Sequence, residues 1–396
     1  MTLLATQPRF ELRRSVPSVM TALAISATLD RREPARPGAM GMYRDVKVQL
    51  VERETPQPRP GEALVRIDTV AVCGSDVHSV QLDAEGYSRS SVPADGWHRP
   101  GGLRFGHEFH GVVVAVGAGV HPGRIGVAVT ADSLVPCRSC RVCRDGQPNH
   151  CPHARLIGLE LNGVFADYAT VPAASLHSIE PLRAALGEDA LDVAALAEPL
   201  GVADHALRAG LGCLKKRYRN QPSLLIRGGG PQGLLAGLVG LARGFNPIVV
   251  VEPDPRRLAL AVRLGLSAFY PTEFGPHTAL EAFGPGATVV LDACGLLSAR
   301  ELLTGIRPGG VIVNLARIGR EFCWPEDMFM TYGIRRVGVR GHVGCLPWVL
   351  RQLESGRINP RALVTRRLHG LDELVDWLQQ PERFGGEGKV LCKVRE

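Results

Sequence analysis

The sequence lacks the features that mark membrane proteins and nucleic-acid-binding proteins. Its most apolar N-terminal stretch, residues 16–29, follows Arg13 and Arg14 like the core of a signal peptide, but it is too short and too polar to span a bilayer. No cluster of Lys and Arg is interleaved with aromatic residues, and the charges behind the net value of +7 are scattered along the chain. Such a charge favours an anionic ligand such as a dinucleotide over nucleic acid. We therefore expect neither a membrane nor a nucleic acid as a partner.

The length and the apolar pattern predict two domains, because 396 residues exceed what one hydrophobic core usually holds. Residues 1–19 are expected to be an N-terminal extension, and residues 20–25 a first strand. From about residue 62 to 165, short β-branched runs separated by Gly and Pro predict a strand-rich domain. From about residue 202, strand-like runs alternate with helical stretches, which predicts βαβ units around a parallel sheet. The runs predicted to form that sheet are residues 223–226, 248–251, 288–291, 311–315 and 336–339.

Four cysteines lie within fifteen residues, in a C-x2-C-x2-C-x7-C run. They are Cys137, Cys140, Cys143 and Cys151. Four thiolates at this spacing can surround one Zn²⁺, which would supply folding free energy that so polar a segment cannot gain from burial. Two disulfides or an iron–sulfur site are the alternatives, and we favour structural zinc in this cysteine lobe (residues 135–153). The remaining cysteines show no pairing pattern, and free thiolate ligands need a reducing compartment, so we expect a cytoplasmic protein.

A glycine-rich turn (residues 228–233) joins a predicted strand to a predicted helix. Its three glycines fit G-x-G-x-x-G, in which they allow a tight turn, a close backbone approach to a pyrophosphate, and close packing of helix on strand. The helix N-terminus then offers unpaired N–H groups to the phosphates. An acidic residue, Glu252, ends the next predicted strand, where it would accept hydrogen bonds from ribose hydroxyls. The residues assigned to the dinucleotide are Gly228, Gly230, Pro231, Gln232, Gly233, Glu252 and Arg257.

The choice of dinucleotide rests on charges near the end of that strand. Glu252 should repel a 2′-phosphate and so favours NAD. Arg256 and Arg257 lie one turn further on and are able to pair with such a phosphate, to stack on the adenine, or simply to form a solvated helix face. We expect NAD, with NADP as the alternative.

A second metal site is indicated upstream of the glycine-rich turn. Cys73 and His107 are ligand types that suit zinc, and a catalytic zinc needs three protein ligands and an open position. Glu108 or Glu198 is the candidate for the third ligand. Taken singly, each residue has an ordinary alternative, as a core cysteine, a hydrogen-bonded histidine or a carboxylate at a helix N-terminus.

Taken together, these segments carry a family resemblance. C-G-S-D-x-H, G-H-E, the four-cysteine run, E-P-L and G-G-G-P-x-G occur in this order. The chain resembles the zinc-containing medium-chain dehydrogenases, the group that holds sorbitol, threonine and archaeal-type glucose dehydrogenases, from about residue 20 to the C-terminus. The resemblance implies an α/β fold, with a GroES-like β-rich catalytic domain (residues 20–199 and 344–396) and a Rossmann doubly wound parallel-sheet domain (residues 200–343). It also implies a homodimer or homotetramer that continues the Rossmann sheet through residues 336–339 as its edge strand.

The resemblance further implies a catalytic zinc on Cys73, His107 and either Glu108 or Glu198, which makes two Zn²⁺ per chain. Glu198 stands where the simple alcohol dehydrogenases have Cys, which favours substrates of the polyol, sugar and amino-alcohol branch. We accordingly expect an NAD-dependent dehydrogenase acting on a secondary alcohol of a polyol, cyclitol or sugar-like substrate. An epimerase or isomerase with a retained cofactor, and a redox-inactive dinucleotide-binding regulator, are the rival hypotheses.

Three residues beside the first ligand are assigned catalytic roles. Ser75 can accept the alcohol proton, and His78 can pass it to water through the cofactor ribose. Asp76 is expected to hold the imidazole of His107, or to cap a helix, or both.

Two stretches depart from the family pattern. The segment between His78 and His107 is longer than expected and should lie over the mouth of the active site. Its candidate substrate contacts, with a plain surface loop as the alternative, are Arg89, Ser90, Ser91, Trp97 and Arg99. The purpose of the second stretch, residues 29–42, is not indicated by its composition.

Overall fold

The computed structural model of the chain describes residues 16–29, 43–84, 86–89, 105–316, 323–380 and 384–395. Outside the parallel sheet, the strands are β1 (Val19–Leu29), β2 (Tyr43–Glu54), β3 (Glu62–Ala71), β4 (Glu108–Val116), β5 (Ala128–Ala131), β6 (Leu134–Val135), β7 (Arg155–Leu156), β8 (Tyr168–Pro172), β9 (Leu176–Ser178), β16 (Val364–His369) and β17 (Lys389–Lys393). The strands of the parallel sheet are β10 (Leu224–Arg227), β11 (Ile248–Val251), β12 (Ser267–Phe269), β13 (Ala287–Asp292), β14 (Ile306–Asn314) and β15 (Arg335–Gly338).

The helices connect and cover these sheets. The α-helices are α1 (Gly74–Val80), α2 (Arg141–Arg144), α3 (Glu180–Leu186), α4 (Ala197–Cys213), α5 (Lys216–Arg219), α6 (Pro231–Ala242), α7 (Pro255–Arg263), α8 (Pro276–Phe283), α9 (Ala299–Leu303), α10 (Glu326–Tyr332), α11 (Leu346–Glu354) and α12 (Gly370–Leu378). Short 3₁₀ segments occur at Pro122–Arg124, Pro148–His150, Ala173–Ser175, Glu188–Leu196 and Arg361–Leu363. Among the described residues, every helix is too short or too polar to cross a bilayer.

The six-stranded sheet has the order β12-β11-β10-β13-β14-β15, and all of its pairings are parallel. Its central strand β10 is buried along its whole length, as expected for a parallel sheet covered by helices on both faces. The strand order reverses between β10 and β13, and ligands of such sheets bind at the carboxyl ends of the strands at this switch point. The predicted α/β fold class with a doubly wound parallel sheet is confirmed.

The second large sheet has the order β16-β17-β3-β4-β5-β9, with β8 paired to β3. Its pairings are antiparallel except for β16 with β17. In the register of β3 and β4, Ala71 is paired with Glu108, so the end of β3 lies beside the start of β4. Strand β17, from the other end of the chain, pairs with β3 on its opposite side, where Leu391 faces Ala71. Three segments that are distant in sequence therefore meet at one end of this sheet.

The predicted elements compare with the structure as follows. The first strand and the five runs of the parallel sheet are confirmed, as is the position of the last run, β15, at one edge of its sheet among the described residues. Seven strands were missed: β2, in which apolar residues alternate with exposed polar ones, the short strands β6, β7, β9 and β12, and the longer strands β8 and β16. The domain boundaries and the assembly through β15 stay predictions. Residues 1–15 and 30–42, for which an extension and an added stretch were predicted, lie outside the described residues.

Candidate metal and dinucleotide sites

The sheet register brings three candidate metal ligands together. Cys73 follows β3, while His107 and Glu108 stand at the start of β4, and one ligand atom of each lies within 4.8 Å of the others. His107 and Glu108 are buried and Cys73 is half-buried. The predicted pairing of Cys73 with His107 thus appears in this Cys–His–Glu cluster (Cys73, His107 and Glu108). Of the two candidates for the third ligand, Glu108 belongs to the cluster and Glu198 does not.

Asp76 ties the two segments of the cluster to each other. Its Oδ2 accepts a hydrogen bond from the backbone N–H of Cys73 at 2.9 Å, and its Oδ1 accepts one from Gly106 at 3.3 Å. The first bond also makes Asp76 the acidic member of a capping box at the start of α1. Burial raises the pKa of this carboxyl, and the charge of His107 acts in the opposite direction. The bonds of Asp76 therefore reach the backbone of Cys73 and Gly106, which agrees with the helix cap that was one of its two predicted roles, and its hold on the imidazole of His107 stays a prediction.

The carboxylate of Glu108 has one paired and one unpaired oxygen. Lys389 Nζ donates to Glu108 Oε2 at 2.5 Å and to the Val72 carbonyl at 2.8 Å, and both charged side chains are at most 3% exposed. Among the described residues, Glu108 Oε1 is buried without a hydrogen-bond partner. Because buried polar atoms are almost always satisfied in native proteins, this orphaned oxygen in a Cys–His–Glu cluster fits a metal ion as its partner. The sequence reasoning missed Lys389, whose signal is a lysine directly before the apolar run of residues 390–392.

The pKa values of His107 and Glu108 are shifted by burial and by several nearby charged groups. Burial opposes the imidazolium form of His107, yet its hydrogen bond with Cys73 and the negative charges of Cys73, Asp76 and Glu198 raise its pKa well above the ordinary value. The pKa of Glu108 is raised by burial and by the charge of Glu198, against the effect of Lys389. The negative charges around His107 would equally attract a divalent cation.

Glu198 lies near the cluster but is held by other groups. It is in the first turn of α4 and is 4% exposed. The Ser133 hydroxyl donates to Glu198 Oε1 at 2.5 Å, and His342 Nε2 lies 3.1 Å from the same oxygen. Burial acts to raise the pKa of Glu198, but His342, His107 and Ser133 together lower it. Sequence reasoning missed Ser133 and His342, which carry no local motif.

The two residues predicted to carry the proton lie on α1, directly after Cys73. Ser75 and His78 are both exposed and stand three positions apart, on one face of the helix. The pKa of His78 is lowered, chiefly because protein atoms displace water around the imidazole, and the positive charge of Arg89 adds to this while a hydrogen bond with Gln81 opposes it. Arg89 is thus near enough to influence His78.

Arg89 is the one candidate substrate contact that belongs to the described residues. Ser90, Ser91, Trp97 and Arg99 lie outside the described residues.

The cysteine lobe brings its four sulfur atoms within 4.8 Å of one another. All four cysteines are free thiols, which argues against the alternative of two disulfides. Backbone N–H groups of Ser139 and Cys140 lower the pKa of Cys137 to about 5, while burial and neighbouring sulfurs raise the pKa of Cys143 to about 12. Crowded thiols do not ionise together without a cation, so the chemistry of this donor set fits one tetrahedral metal.

The glycine-rich turn has the geometry that the motif requires. Gly228 has a φ of +103°, which favours glycine, and a Cβ on Gly233 would lie 2.0 Å from the Gly228 carbonyl oxygen. Gly230 is the N-cap of α6, which begins at Pro231 shortly after β10, so the helix N-terminus lies at the carboxyl end of that strand. Gln232 uses its side-chain amide to donate to the Pro199 carbonyl at 2.9 Å, so it links the turn to α4.

Glu252 is positioned at the turn by backbone N–H groups. It is 4% exposed and accepts hydrogen bonds from Gly229 at 2.6 Å and Asp254 at 3.0 Å. Arg257 NH1 lies 4.0 Å from Glu252 and borders the turn at Gly230. Arg256 is instead paired with Asp254 at 3.0 Å. Of the two arginines considered for the dinucleotide, Arg257 is therefore the one beside the turn.

Comparison with known proteins agrees with this geometry. Residues 59–181 match the family model described as the alcohol dehydrogenase GroES-like domain. The chain is 30% identical to an L-threonine 3-dehydrogenase of Pyrococcus abyssi, over 88% of this chain and 95% of the relative. It is 31% identical to a scyllo-inosose 3-dehydrogenase of Thermotoga maritima, over 79% of this chain and 82% of the relative. The solved structure of an alcohol dehydrogenase candidate from Thermotoga maritima superposes with a TM-score of 0.81 at 26% identity, covering 94% of this chain and all of the other.

Fold and comparisons together define a class of oxidoreductases built from a GroES-like domain and a Rossmann domain. The chain belongs to the medium-chain dehydrogenase/reductase family, the family of the zinc-containing alcohol and polyol dehydrogenases. The predicted family and GroES-like domain are confirmed.

Proposed function

We propose that the chain is a zinc-dependent dehydrogenase that transfers hydride between NAD and a secondary alcohol of a polyol, cyclitol or sugar-like substrate. The observation that carries this proposal is the Cys–His–Glu cluster, in which Glu108 Oε1 is buried without a partner among the described residues. A sensor of dinucleotides would need no such cluster. The relative named for scyllo-inosose supports the cyclitol class, and the relative named for threonine supports an alcohol dehydrogenase without favouring that class.

Cys73, His107 and Glu108 would hold a catalytic zinc, and the four cysteines of the cysteine lobe would hold a structural one. A zinc ion at the first site would supply Lewis acidity that makes a substrate hydroxyl easier to deprotonate. Glu198 is engaged by Ser133 and His342, so we assign it to the surroundings of the metal rather than to its ligands.

The proton leaves through residues of α1. Ser75 is exposed and two residues from Cys73, so its hydroxyl can take the proton of a bound alcohol. His78 would pass that proton on to water. Because its pKa is lowered, the imidazole is neutral at physiological pH and able to accept a proton.

The glycine-rich turn and the N-terminus of α6 would hold the pyrophosphate of the cofactor, with Glu252 toward the adenosine ribose. We propose NAD because a buried carboxylate stands at that position. Arg257, which borders the same turn, is the residue through which NADP would be accommodated.

The test is to follow NADH formation by absorbance with a panel of polyols, cyclitols, sugars, threonine and other amino alcohols. A rise with any member supports a dehydrogenase, and the same substrate should be silent with Cys73→Ser. Conversion of a substrate without added NAD and without NADH release would favour the epimerase instead. A silent panel in both directions, together with tight dinucleotide binding, would favour the regulator.

A further inference from the structure

His342 lies in a short crossover segment (residues 341–343) that returns the chain from the parallel sheet to α11. Its side chain is completely buried. On one side, Nε2 lies 3.1 Å from Glu198, and on the other, Nδ1 lies 3.3 Å from Asp132 Oδ1. The ring is therefore bracketed by two buried carboxylates that belong to different elements.

The crossover segment is fixed by close packing. A Cβ on Gly201 of α4 would lie 3.0–3.1 Å from three atoms of His342, so the ring rests against the helix backbone without spare room. The His205 side chain bonds the Gly341 carbonyl at 2.9 Å. Gly341 itself has a φ of +63°, and a Cβ there would lie 2.6 Å from Leu134, so this position requires glycine.

The cysteine lobe also holds this segment. Asn149, between the third and fourth cysteines, is 7% exposed, and its Oδ1 accepts a hydrogen bond from the Val343 backbone N–H at 2.9 Å. A continuous set of contacts thus runs from the cysteine lobe through Val343 and His342 to Glu198. The start of α4 lies at the same end of the sheet as the Cys–His–Glu cluster, since Leu196, two residues before Glu198, packs in one buried group with Ala71, which is paired with Glu108.

We propose that His342 is a positioning residue, which holds the Glu198 carboxylate beside the Cys–His–Glu cluster. The cysteine lobe keeps the His342 ring in this position, because Asn149 binds the backbone of the next residue, Val343. This inference rests on the proposed metal function of that cluster. If His342 moved, Ser133 alone among the described residues would hold the Glu198 carboxylate, which would then shift relative to the cluster and alter the electrostatic field at its residues. Groups that orient the surroundings of a metal typically change its affinity about 10- to 100-fold when they are lost.

The first test displaces the ring without removing any of its partners. In Gly201→Ala, the new methyl group must push His342 by a few tenths of an ångström. The matched control is Gly212→Ala in the same helix, where an added Cβ meets no atom within 4 Å. Because alanine is a better helix former than glycine, neither change should weaken α4 itself.

The readout is Co²⁺ exchanged into the Cys–His–Glu cluster, with zinc kept in the cysteine lobe. We expect Gly201→Ala to bind Co²⁺ about tenfold more weakly and to shift its d–d absorption bands, while Gly212→Ala matches the parent. Equal behaviour of the two variants would overturn the proposal. Because this readout needs no turnover, it still decides the question if the parent shows no dehydrogenase activity, an outcome that would count only against the proposed function.

A second pair of variants tests the link to the cysteine lobe. Asn149→Asp keeps an oxygen that can accept from Val343, and Asn149→Leu has a similar size but no acceptor. We expect the Co²⁺ bands of the cluster to shift in Asn149→Leu and to stay unchanged in Asn149→Asp. If the two variants give the same spectrum and affinity, the cysteine lobe does not position His342.

Discussion

Replacing Lys389 by Met should destabilise the protein by removing the only charge that is hydrogen-bonded to Glu108 among the described residues. The two side chains are at most 3% exposed, and their charged atoms are 2.5 Å apart. Removing one partner of a buried ion pair leaves the other charge uncompensated, which costs about 3–5 kcal/mol. The Val72 carbonyl also loses its donor from Lys389, which adds about 1 kcal/mol if water cannot replace it.

The loss should depend on pH in a defined direction. Without Lys389, the folded-state pKa of Glu108, already raised by burial, rises further. The folded protein then keeps a proton on Glu108 that the unfolded chain releases near pH 4.5, so stability falls as the pH rises above that value. The difference between Lys389→Met and the parent is therefore smallest near pH 4.5 and greatest near neutrality.

The assay is urea denaturation of protein that keeps zinc in the cysteine lobe but has no metal in the Cys–His–Glu cluster, followed by far-UV circular dichroism. Lys393→Met is the matched control, since it makes the same change at an exposed position of β17 and should alter stability by less than about 0.5 kcal/mol. The double variant Glu108→Gln/Lys389→Met removes both charges and should recover much of the loss. The reasoning is refuted if Lys389→Met lowers the free energy of unfolding by no more than Lys393→Met does. It is also refuted if the double variant loses as much free energy as Glu108→Gln and Lys389→Met lose together when measured singly.

Three further predictions concern the cysteine lobe, the proton path and the cofactor. Cys140→Ser should lower the melting temperature and release one zinc per chain, because a three-thiolate site binds zinc less tightly; unchanged melting and zinc content would count against structural zinc. His78→Ala should reduce turnover most near and below neutral pH, where hydroxide is scarce and the neutral imidazole is the main proton acceptor; a pH–rate profile like that of the parent would remove His78 from the path. Gly233→Ala should weaken NADH binding, measured by calorimetry, because its Cβ would lie 2.0 Å from the Gly228 carbonyl oxygen. The control Gly212→Ala should leave the affinity for NADH unchanged. Equal affinities of the two variants would contradict the assignment of this turn to the dinucleotide.

Features that arise from neighbouring residues could be predicted from the sequence. The cysteine lobe and the glycine-rich turn each lie within one short segment, so spacing alone brings their groups together. The strands of the parallel sheet were recognisable because a strand covered on both faces is a continuous apolar run. Strand β2 carries the other strand signal, since Val46, Val48 and Leu50 alternate with exposed polar residues, and this short alternation was overlooked.

Features that depend on distant pairing could not be predicted in this way. Lys389 meets Glu108 across 281 positions, only because β17 adds to the far side of β3. The distinction between Glu108 and Glu198 depends on the register that places Ala71 opposite Glu108. His342 reaches Ser133 across 209 positions, and no local pattern marks a histidine in a crossover segment as a partner of a carboxylate.

The most direct test of the central claim is the zinc content per chain of the purified protein and of Cys73→Ser, measured by mass spectrometry with metal detection. The account predicts two zinc ions in the parent and one in the variant, with the remaining ion in the cysteine lobe. One zinc ion in both proteins would contradict the account, because the Cys–His–Glu cluster would then hold no metal.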